Sequence, residues 1–388
     1  MPTVMLVAGT RPNFMKIKPV LDALEKRAAH VVLVHAGQHY DHAMSEVFFA
    51  DLGLRAPDRH LGTGSGTVVQ QTARIMTAFE PVLADIAPDA VVVVGDVTAT
   101  LACALVTAHS GITLAHVEAG LRSRDWDMPE EINRVVVDRV SDLLFAPSPD
   151  AVDNLHGEGY HPHQIRLVGN VMVDTLLANL SRARESNVLA RNGLKAGEFG
   201  LVTLHRPSNV DDPVALGTLM TALGEVARLL PLVMTVHPRT AKRLDASGIP
   251  TGLQLLPPAG YLDFLSLQAE ARMVLTDSGG VQEETTVLGV PCLTLRESTE
   301  RPITIAQGTN TLVGRDPQRI IGAATRILHT PPPRRCPALW DGRAAERIAD
   351  ILLDHLAAPV RNRPTDLPAS GLDGTGHPAN RAVARQRR

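Results

Sequence analysis

The sequence LTDSGGVQEE at residues 275–284 decides which fold we expect for this chain. Its apolar start predicts the end of a buried strand, and the Asp-Ser-Gly-Gly that follows predicts a turn into a helix. Such a turn directs unpaired backbone N–H groups and the positive end of the helix dipole towards open space. We expect Ser278, Gly279 and Gly280 to bind an anion such as a phosphate, because glycines leave those amides accessible. Glu284, further along the helix, can then reach hydroxyls of a sugar attached to the anion; an ordinary capped turn is the competing interpretation.

Strand and helix patterns alternate in the same way through both halves of the chain. Strand-like runs cover residues 4–8, 31–36, 90–94, 113–117, 143–146 and 165–168 in the first half, and residues 201–204, 232–236, 253–256, 273–276 and 292–295 in the second. These runs are short, rich in valine and leucine, and do not alternate with polar residues, which is typical of strands covered on both faces. Helix patterns between successive strands predict parallel sheets. We therefore predict an α/β fold with two doubly wound, Rossmann-like domains that face each other across a cleft.

The length of 388 residues exceeds what one core usually supports and agrees with two domains. We assign residues 1–170 to the first domain and residues 171–357 to the second, leaving open whether the last helix packs back on the first domain. Residues 358–388 are rich in Pro, Gly, Ala and Arg and lack apolar periodicity, which predicts a disordered tail. The polar segment at residues 297–302, with Gly-Thr-Asn at residues 308–310, is expected to form a loop that closes over a ligand in the cleft and not part of the core.

The composition argues against several classes of protein. A formal net charge of −3 argues against a general nucleic-acid or membrane-surface binder. No apolar run approaches the ~18 residues that span a bilayer, and the N-terminus predicts a first strand instead of a signal peptide. Cys103, Cys292 and Cys336 lie far apart without metal-binding spacing, and we expect free thiols in a reducing compartment. The prediction is a soluble, cytoplasmic protein without a nucleic-acid or membrane partner.

Three carboxylates are predicted at one edge of the first sheet. Asp96 follows the run at residues 90–94, and Glu118 follows the run at residues 113–117. Glu130 lies at the start of the next helix, where a simple role as partner of the helix dipole is the competing explanation. A carboxylate at a buried strand end costs free energy unless it is paired, so Asp96 and Glu118 need another explanation. Crowded carboxylates raise one another's pKa values, and this suits proton transfer near neutral pH.

Basic side chains follow other strands on the same side of the predicted sheets. Arg11 and Lys16 follow the first strand, where arginine can fork onto a phosphate and lysine adds a point charge, although ordinary surface side chains would explain them equally well. His205 with Arg206, and His237, follow two strands of the second half. Because no HxH or HxxxH spacing supports a metal site, we expect these histidines to contact a phosphate or to act as acids.

The motifs of the chain, taken in order, resemble one family. They are GTRPNFMKIKP from Gly9, GQHYD from Gly37, GD at Gly95, HVEAGLRS from His116, PEEINR from Pro129, GN at Gly169, LHRPSNVD from Leu204, DSGGVQEE from Asp277, TERPIT from Thr299 and GTN at Gly308. This ordered set resembles the non-hydrolysing UDP-N-acetylglucosamine 2-epimerases over nearly all of the chain, up to about Leu356. One motif alone would be weak, whereas the ordered set is specific.

The resemblance implies a glycosyltransferase-B-like architecture that holds a UDP-sugar in the cleft between two domains. Members of the family invert C2 of UDP-N-acetylglucosamine to give UDP-N-acetylmannosamine. They eliminate UDP to form a glycal and add it back with the proton on the other face, and they require no nicotinamide cofactor and no metal. Members are commonly homodimers, and some bacterial members bind a second UDP-sugar as an allosteric activator.

The family's site residues carry over position by position. Its catalytic set matches Asp96, Glu118, Glu130 and His205, and which carboxylate removes the proton stays open. Its nucleotide-side basic residues match Arg11 and Lys16, its diphosphate turn matches Ser278, Gly279 and Gly280, its ribose contact matches Glu284, and its ring beside uracil matches Phe264. Arg206 and His237 match positions that line the cleft, some of which also serve the allosteric site.

The chain also departs from the common family pattern. Asn13, Ser208 and Ile303 stand where many members carry glutamate, and the HYD after Gln38 replaces the form tied to allosteric binding. Such variants occur in relatives that act on other 2-acetamido UDP-sugars, including diacetamido uronic acids, so the sugar stays open. Three competing functions are those of a hydrolysing epimerase, a glycosyltransferase-B-type transferase and a non-catalytic UDP-sugar binder. A transferase leaves the three carboxylates unexplained, and a non-catalytic binder would have lost part of the catalytic set.

Overall fold

The structure is a computed structural model that describes residues 1–9, 11–37, 51–64, 66–236, 243–244 and 248–358. At Arg11 and Pro12 it describes the backbone and not the side chains. The predicted tail from residue 359 onward, the HYD motif and His237 lie outside the described residues.

Seven parallel strands form the first sheet. They are β1 Thr3–Ala8, β2 His30–His35, β3 Arg59–His60, β4 Ala90–Val94, β5 Thr113–Val117, β6 Leu143–Ala146 and β7 Ile165–Leu167, in the order β3-β2-β1-β4-β5-β6-β7. The strand order reverses between β1 and β4, and ligands of doubly wound sheets bind beyond the carboxyl ends of the strands at such a switch point. Gly95 and Asp96 follow β4 directly, so the chain delivers Asp96 to this point.

Six parallel strands form the second sheet with the same kind of reversal. They are β8 Gly200–Thr203, β9 Leu232–Thr235, β10 Leu253–Leu256, β11 Met273–Thr276, β12 Cys292–Thr294 and β13 Asn310–Leu312, in the order β10-β9-β8-β11-β12-β13. The switch point lies between β8 and β11, which are followed by His205 and by Asp277. The predicted pair of doubly wound α/β domains is confirmed. Asn310, which we expected in a loop, is buried and begins β13.

Both faces of the inner strands are buried, which explains why their sequences are apolar without alternation. In β1, Leu6 packs into one core, and Met5 and Val7 pack into another on the opposite face. In β4, Val92 packs into the core of Leu6, and Val93 packs into the core of Met5 and Val7.

Helices connect successive strands and cover the sheets. The described helices are α1 Arg11–Lys26, α2 Val68–Ile86, α3 Thr98–His109, α4 Pro129–Val140, α5 Pro149–Gly157, α6 Val171–Arg184, α7 Val188–Arg191, α8 Pro207–Val210, α9 Pro213–Ala227, α10 Tyr261–Glu270, α11 Gly279–Leu288, α12 Ile303–Ala306, α13 Pro317–His329 and α14 Ala344–Ala357. Within the described residues, none of these helices is long and apolar enough to cross a bilayer.

Helix α14 ties the end of the described chain to the first sheet. The carboxylate of Asp174 in α6 accepts hydrogen bonds from the backbone N–H groups of Ala344 and Ala345, at 3.1 and 2.7 Å. These two amides belong to the first turn of α14, where the helix itself offers no acceptor. Leu352 of α14 is buried in the same core as Leu6 of β1.

Candidate active site

Asp96 lies at the first switch point and is paired with a guanidinium group. Nε and Nη2 of Arg134, from α4, lie 2.9 and 2.7 Å from Oδ2 of Asp96, and Nδ2 of Asn133 donates to its backbone oxygen at 2.7 Å. Burial alone would raise the pKa of Asp96, but the charges of Arg134, Lys16 and Arg301 outweigh it and hold the pKa below its usual range. Asp96 is therefore an ionised carboxylate at neutral pH.

Glu118 follows β5 in a backbone conformation that is unusual for a glutamate, with φ of +72°. A residue other than glycine in this region costs about 1–3 kcal/mol and is often found at functional sites. Its Oε2 is paired with Nζ of Lys16, and its buried Oε1 has no hydrogen-bond partner within the described part of the chain. A Cβ atom at Gly95 would lie 3.0 Å from Lys16 Nζ and 3.4 Å from Glu118 Oε2, so the glycine makes room for this ion pair.

Glu130 and Glu131, neighbours at the start of α4, differ in what they contact. Glu131 is buried and accepts hydrogen bonds from the backbone N–H groups of Ser123 and Arg124 at 2.9 and 2.8 Å, which anchors the loop after β5. Glu130 is half-buried and lines a cavity of about 290 Å³ together with Asp96. Of the two glutamates, Glu130 is the one that faces the space beside Asp96.

His205 and Asp277 form a hydrogen-bonded pair at the second switch point. Nδ1 of His205 lies 2.8 Å from Oδ1 of Asp277, and 60% of the histidine side chain is exposed while the aspartate is fully buried. Asp277 also accepts hydrogen bonds from the backbone N–H groups of His205 and Arg206 and from Nδ2 of Asn209, at 3.0–3.1 Å. Burial would raise the pKa of Asp277, but these hydrogen bonds, that of His205 first, hold it below its usual range. Nε2 of His205 is left as the ring nitrogen available to a ligand.

Ser278 and Phe264 line the same cavity as His205. This cavity has a volume of about 580 Å³ and lies in the second domain beyond β8 and β11. Ser278 immediately precedes α11, and its side chain makes no capping hydrogen bond to the helix. The N-terminus of α11, a polar hydroxyl and an aromatic ring therefore meet at one cavity, which is the chemistry that suits a phosphate attached to a flat base.

The two glycines of the turn are not equivalent. A Cβ atom at Gly280 would have Met172 Cε as its nearest neighbour, at 3.9 Å, which leaves room. A Cβ atom at Gly279 would lie 2.7 Å from both Nη1 of Arg301 and Oε1 of Glu300. Arg301 and Glu300 thus occupy the space that a side chain at Gly279 would take, and the contact of the two glycines with an anion stays a prediction.

The segment at residues 297–302 was expected to lie outside the core, but its Glu300 and Arg301 are buried. Arg301 is 2.7 Å from both Glu283 and Glu300, and Glu300 is 2.9 Å from Arg296. Charges with opposite partners can be buried, and the burial of these side chains follows from their mutual pairing. Burial, which the charge of Arg301 only partly offsets, raises the pKa of Glu283 to about 7.

The remaining predicted site residues have different surroundings. Glu284 is buried, accepts a hydrogen bond from Nε2 of Gln268 at 2.7 Å, and has a pKa raised to about 7 by burial. Lys16, expected on the nucleotide side, is paired with Glu118, whereas Arg206 is half-buried and lies 3.6 Å from Glu300. The Arg11 side chain and His237 lie outside the described part of the structure, and their roles stay predictions.

Asp277, Arg134, Arg301 and Glu283 belong to this site but were not singled out from the sequence as site residues. The pairing of Asp277 with His205 could have been anticipated, since both follow strands that flank a switch point. Arg134, one turn after Glu130, offered a weaker signal. Arg301 and Glu283 lie in the TERPIT and DSGGVQEE motifs, but the local sequence does not indicate that they are buried, because their burial depends on partners from other parts of the chain.

The described residues contain no cluster of three or more His, Cys, Asp or Glu side chains arranged to hold a metal ion. The side chains themselves supply acids and bases: carboxylates on one side of the site, and a hydrogen-bonded histidine with a helix N-terminus on the other.

Two doubly wound domains, with carboxylates at the switch point of one sheet and a strand-to-helix turn at that of the other, form the glycosyltransferase-B-like class of fold. A profile of the UDP-N-acetylglucosamine 2-epimerase family matches residues 22–353. The UDP-N-acetylglucosamine 2-epimerase of Methanocaldococcus jannaschii is 41% identical over 358 residues, which cover 89% of this chain and 98% of that protein. The chain therefore belongs to the UDP-N-acetylglucosamine 2-epimerase family and is an isomerase, as its motifs predicted.

A crystal structure of this relative and one further relative bear on the ligand. The crystal structure of M. jannaschii UDP-GlcNAc 2-epimerase in complex with UDP-GlcNAc and UDP has a TM-score of 0.83 at 41% identity, covering 91% of this chain and 99% of that one. The UDP-2,3-diacetamido-2,3-dideoxy-D-glucuronate 2-epimerase of Pseudomonas aeruginosa is 39% identical over 353 residues, covering 90% of this chain and 99% of that protein. The relatives thus include enzymes named for two different 2-acetamido sugars.

Proposed function

We propose that this protein catalyses the reversible epimerisation at C2 of UDP-N-acetylglucosamine to UDP-N-acetylmannosamine. The observation that carries the proposal is the pairing of Asp96 with Arg134 and of Glu118 with Lys16 at the switch point of the first sheet. A carboxylate kept ionised by a neighbouring cation can accept a proton from carbon without first losing one of its own. The name of the M. jannaschii relative and the ligands of its crystal structure support this choice of substrate.

The proposed reaction is an elimination followed by the reverse addition. A carboxylate takes the proton from C2, and the electrons of that C–H bond form the C1–C2 double bond of a glycal. The C1–O bond breaks at the same time, and UDP leaves with the electron pair of the C1–O bond. UDP then adds back to C1 while a proton returns to C2 on the opposite face. Such a reaction needs carboxylates on the sugar side of the cleft and stabilisation of a departing diphosphate on the other side.

The candidate residues divide between these two tasks. We assign proton removal and return to Asp96, Glu118 and Glu130, with the order of use open between them. We assign the diphosphate to the turn at Ser278, Gly279 and Gly280 and to Nε2 of His205, which Asp277 orients. Arg206, Phe264 and Glu284, with Arg11, Lys16 and His237, complete the proposed substrate site.

The charges of the cavity beside Asp96 favour N-acetylglucosamine over a uronic acid. Among the described residues that line this cavity, the charged side chains are those of Asp96 and Glu130, and both are acidic. A sugar carboxylate next to them would meet like charges, which costs several kcal/mol where water is excluded. A diacetamido uronic acid is the second candidate, because the P. aeruginosa relative of nearly equal identity carries that name.

Proton NMR in deuterated water tests the proposal. Purified protein is incubated with UDP-N-acetylglucosamine without added cofactor, and the Asp96→Asn variant serves as the control. We expect deuterium at C2 together with the signals of UDP-N-acetylmannosamine in the wild-type sample alone. Release of free N-acetylmannosamine would indicate a hydrolysing epimerase, and no exchange with this sugar but exchange with the diacetamido uronate would decide for the second candidate.

We further infer a cytoplasmic homodimer, supported by the family resemblance and by the three free cysteines. Activation by a second UDP-sugar stays open, because the HYD after Gln38 replaces the form tied to allosteric binding. Sedimentation equilibrium tests the dimer, and a sigmoidal dependence of rate on UDP-sugar concentration tests the activation.

We retain residues 1–170 and 171–357 as the proposed domains, which limited proteolysis tests.

A further inference from the structure

A fully buried histidine lies in the first sheet, next to the turns that carry the proposed carboxylates. Of the five residues of β5, His116 is the ionisable one, and none of its surface is exposed. Its Nε2 lies 2.9 Å from the backbone oxygen of Gly95, and its Nδ1 lies 2.6 Å from Oδ1 of Asp138 in α4. A buried polar ring costs free energy unless its nitrogens are hydrogen-bonded, and both nitrogens of His116 are.

The contact with Gly95 determines the role of Nε2 in the ring of His116. A carbonyl oxygen can only accept a hydrogen bond, so Nε2 must carry a proton and donate it. The other side of the ring is held by Asp138, which is itself fixed in place. Its Oδ2 accepts a hydrogen bond from the backbone N–H of Gly120 at 3.0 Å and lies 2.8 Å from Nη2 of Arg122. Asp138 therefore fixes the orientation of the ring.

Gly95, the residue that the ring contacts, immediately precedes Asp96. Its φ of +66° is a conformation that favours glycine, and its N–H donates to the backbone oxygen of Val117 at 3.0 Å. Two neighbours in β5, His116 and Val117, thus bind the oxygen and the N–H of the same glycine. Because the oxygen of Gly95 belongs to the peptide group that leads into Asp96, the hydrogen bond from His116 sets the direction in which the chain enters Asp96.

Asp138 also contacts the turn that follows the second carboxylate. Its hydrogen bond from Gly120 constrains the chain two residues after Glu118. One buried carboxylate of α4 is therefore bonded directly to the turn after Glu118 and, through His116, to the turn before Asp96. The two proposed catalytic carboxylates are in this way held in a fixed relation to each other.

We propose that His116 is a positioning residue for Asp96: its Nε2–H group holds the oxygen of Gly95 and so fixes the carboxylate that takes part in proton transfer at C2. This inference rests on the proposed function, since proton transfer is the step that a fixed Asp96 assists. A displacement of about 1 Å by a change away from the reacting atoms can lower a rate roughly 10²-fold.

Two amide variants separate the roles of the two ring nitrogens. The amide nitrogen of glutamine is as far from Cβ along the side chain as Nε2 of histidine, so His116→Gln keeps a donor for Gly95. The amide nitrogen of asparagine corresponds to Nδ1, so His116→Asn keeps the donor for Asp138 and loses the donor for Gly95. His329→Gln is the control, because His329 is exposed at the end of α13.

The first measurement is kcat for C2 exchange together with the affinity for UDP. We expect kcat to fall roughly 10²-fold in His116→Asn and to stay within about tenfold of the wild type in His116→Gln. The affinity for UDP should be unchanged in both variants, and His329→Gln should behave as the wild type. Equal losses of kcat in the two His116 variants, or a loss in neither, would overturn the proposal.

A second measurement does not depend on activity. The dipeptide Gly-Asp occurs once in the sequence, at residues 95–96, so protein labelled with carbonyl-carbon-13 glycine and nitrogen-15 aspartate gives one correlated NMR signal for this peptide bond. The signal is assigned by its loss in Asp96→Asn. We expect it to move in His116→Asn and to stay close to the wild-type position in His116→Gln, because the carbonyl shift responds to the hydrogen bond. A signal that moves equally in both variants, or in neither, contradicts the proposal.

These measurements distinguish failure of the inference from failure of the proposed function. If the wild type showed no C2 exchange with any sugar, the proposed function would fail, yet the Gly95–Asp96 signal would still decide whether His116 holds this peptide group. Should neither His116 variant fold, the wild type labelled with nitrogen-15 histidine provides the test. Its fully buried ring should show an Nε2–H group that exchanges slowly with water, and a ring without a proton on Nε2 would overturn the proposal.

Discussion

The two sheets place an aspartate at equivalent positions and use it in opposite ways. Asp96 follows β4 and Asp277 follows β11, and each of these strands lies beside the first strand of its sheet at the switch point. The Asp96 side chain is 24% exposed and lines a cavity, whereas Asp277 is fully buried and surrounded by donors. The fold therefore delivers a carboxylate to the same place twice, and the neighbours decide what that carboxylate does.

Asp96 and Asp277 differ in whether the carboxylate is still accessible to a ligand. Arg134 binds Oδ2 of Asp96 from one side, and the carboxylate still faces the cavity. Asp277 accepts hydrogen bonds from the ring and backbone of His205, from the backbone of Arg206 and from Asn209. Protonation of Asp277 would break several of these bonds, and the donor with an exposed side chain through which it can act on a ligand is His205. We therefore propose that Asp96 reacts with the substrate and that Asp277 orients His205.

The largest effect is expected for Asp96→Asn. The amide has the shape of the carboxylate but cannot take the C2 proton, and general base catalysis contributes roughly 10²–10⁴-fold. We expect kcat to fall by that amount while calorimetric titration shows unchanged affinity for UDP. The exposed Asp85 in α2 provides the control, as Asp85→Asn should retain wild-type turnover. Turnover near the wild-type level in Asp96→Asn would show that Asp96 does not take the C2 proton, and the proposed difference between Asp96 and Asp277 would be wrong.

The next effect concerns the anion site, where Ser278→Asp adds a carboxylate to the second switch point. A like charge placed against a diphosphate costs several kcal/mol, so the affinity for UDP should fall roughly 10²-fold or more. Ser278→Ala is the matched variant, and it should lose less than roughly tenfold because it removes a hydroxyl group without adding charge. Equal affinities of the two variants in a calorimetric titration would show that the diphosphate does not bind at this turn.

Asp277→Asn tests whether the buried aspartate acts through its histidine. The amide keeps an oxygen for His205 Nδ1, but it weakens the hold on the ring and leaves other donors poorly satisfied, and losses at such orienting positions are typically 10–100-fold. We expect kcat to fall by roughly that factor, and the His205→Asn variant combined with Asp277→Asn should lose little more than His205→Asn alone. Losses that multiply in the double variant would mean that Asp277 acts independently of His205.

The sequence was sufficient to place Asp96 because the signal is local: a buried apolar run followed at once by Gly-Asp. The same kind of signal places His205 and Ser278. Arg301 was missed for a physical reason. The TERPIT sequence is polar and is typical of a surface loop. Its Arg301 and Glu300 can be buried because folding brings Glu283 to Arg301 and Arg296 to Glu300.

Gly279 and Gly280 illustrate the same limit at the level of single atoms. Adjacent glycines in a strand-to-helix turn predict open backbone amides. Whether a glycine admits a ligand or a side chain of the protein depends on tertiary contacts, and here Gly280 has open space while Gly279 faces Arg301 and Glu300. Nothing in the local sequence distinguishes the two.

The smallest effect is expected for Glu284→Gln. Glu284 is a third kind of carboxylate, because it is buried and forms no ion pair with the described residues. Its pKa is raised by burial from 4.5 to about 7 in the folded protein. In the unfolded chain the Glu284 carboxyl group ionises at lower pH than in the folded protein. The free energy of unfolding of the wild type therefore falls as pH rises from about 4.5 to about 7, by roughly 3 kcal/mol at most. Glutamine removes this dependence but buries an NH₂ group, which costs about 1–3 kcal/mol if it finds no acceptor.

These terms nearly cancel, and the free energy of unfolding of ligand-free Glu284→Gln at pH 8 should differ from that of the wild type by only about 1 kcal/mol, in the stabilising direction. The informative quantity is therefore the slope: urea unfolding at pH 5, 6, 7 and 8 should give a flatter curve of stability against pH for the variant. Curves that stay parallel would mean that Glu284 ionises in the folded protein as easily as in the unfolded chain. In that case hydrogen bonds such as that from Gln268 would stabilise the charged form of Glu284 in spite of its burial, as they do for Asp277.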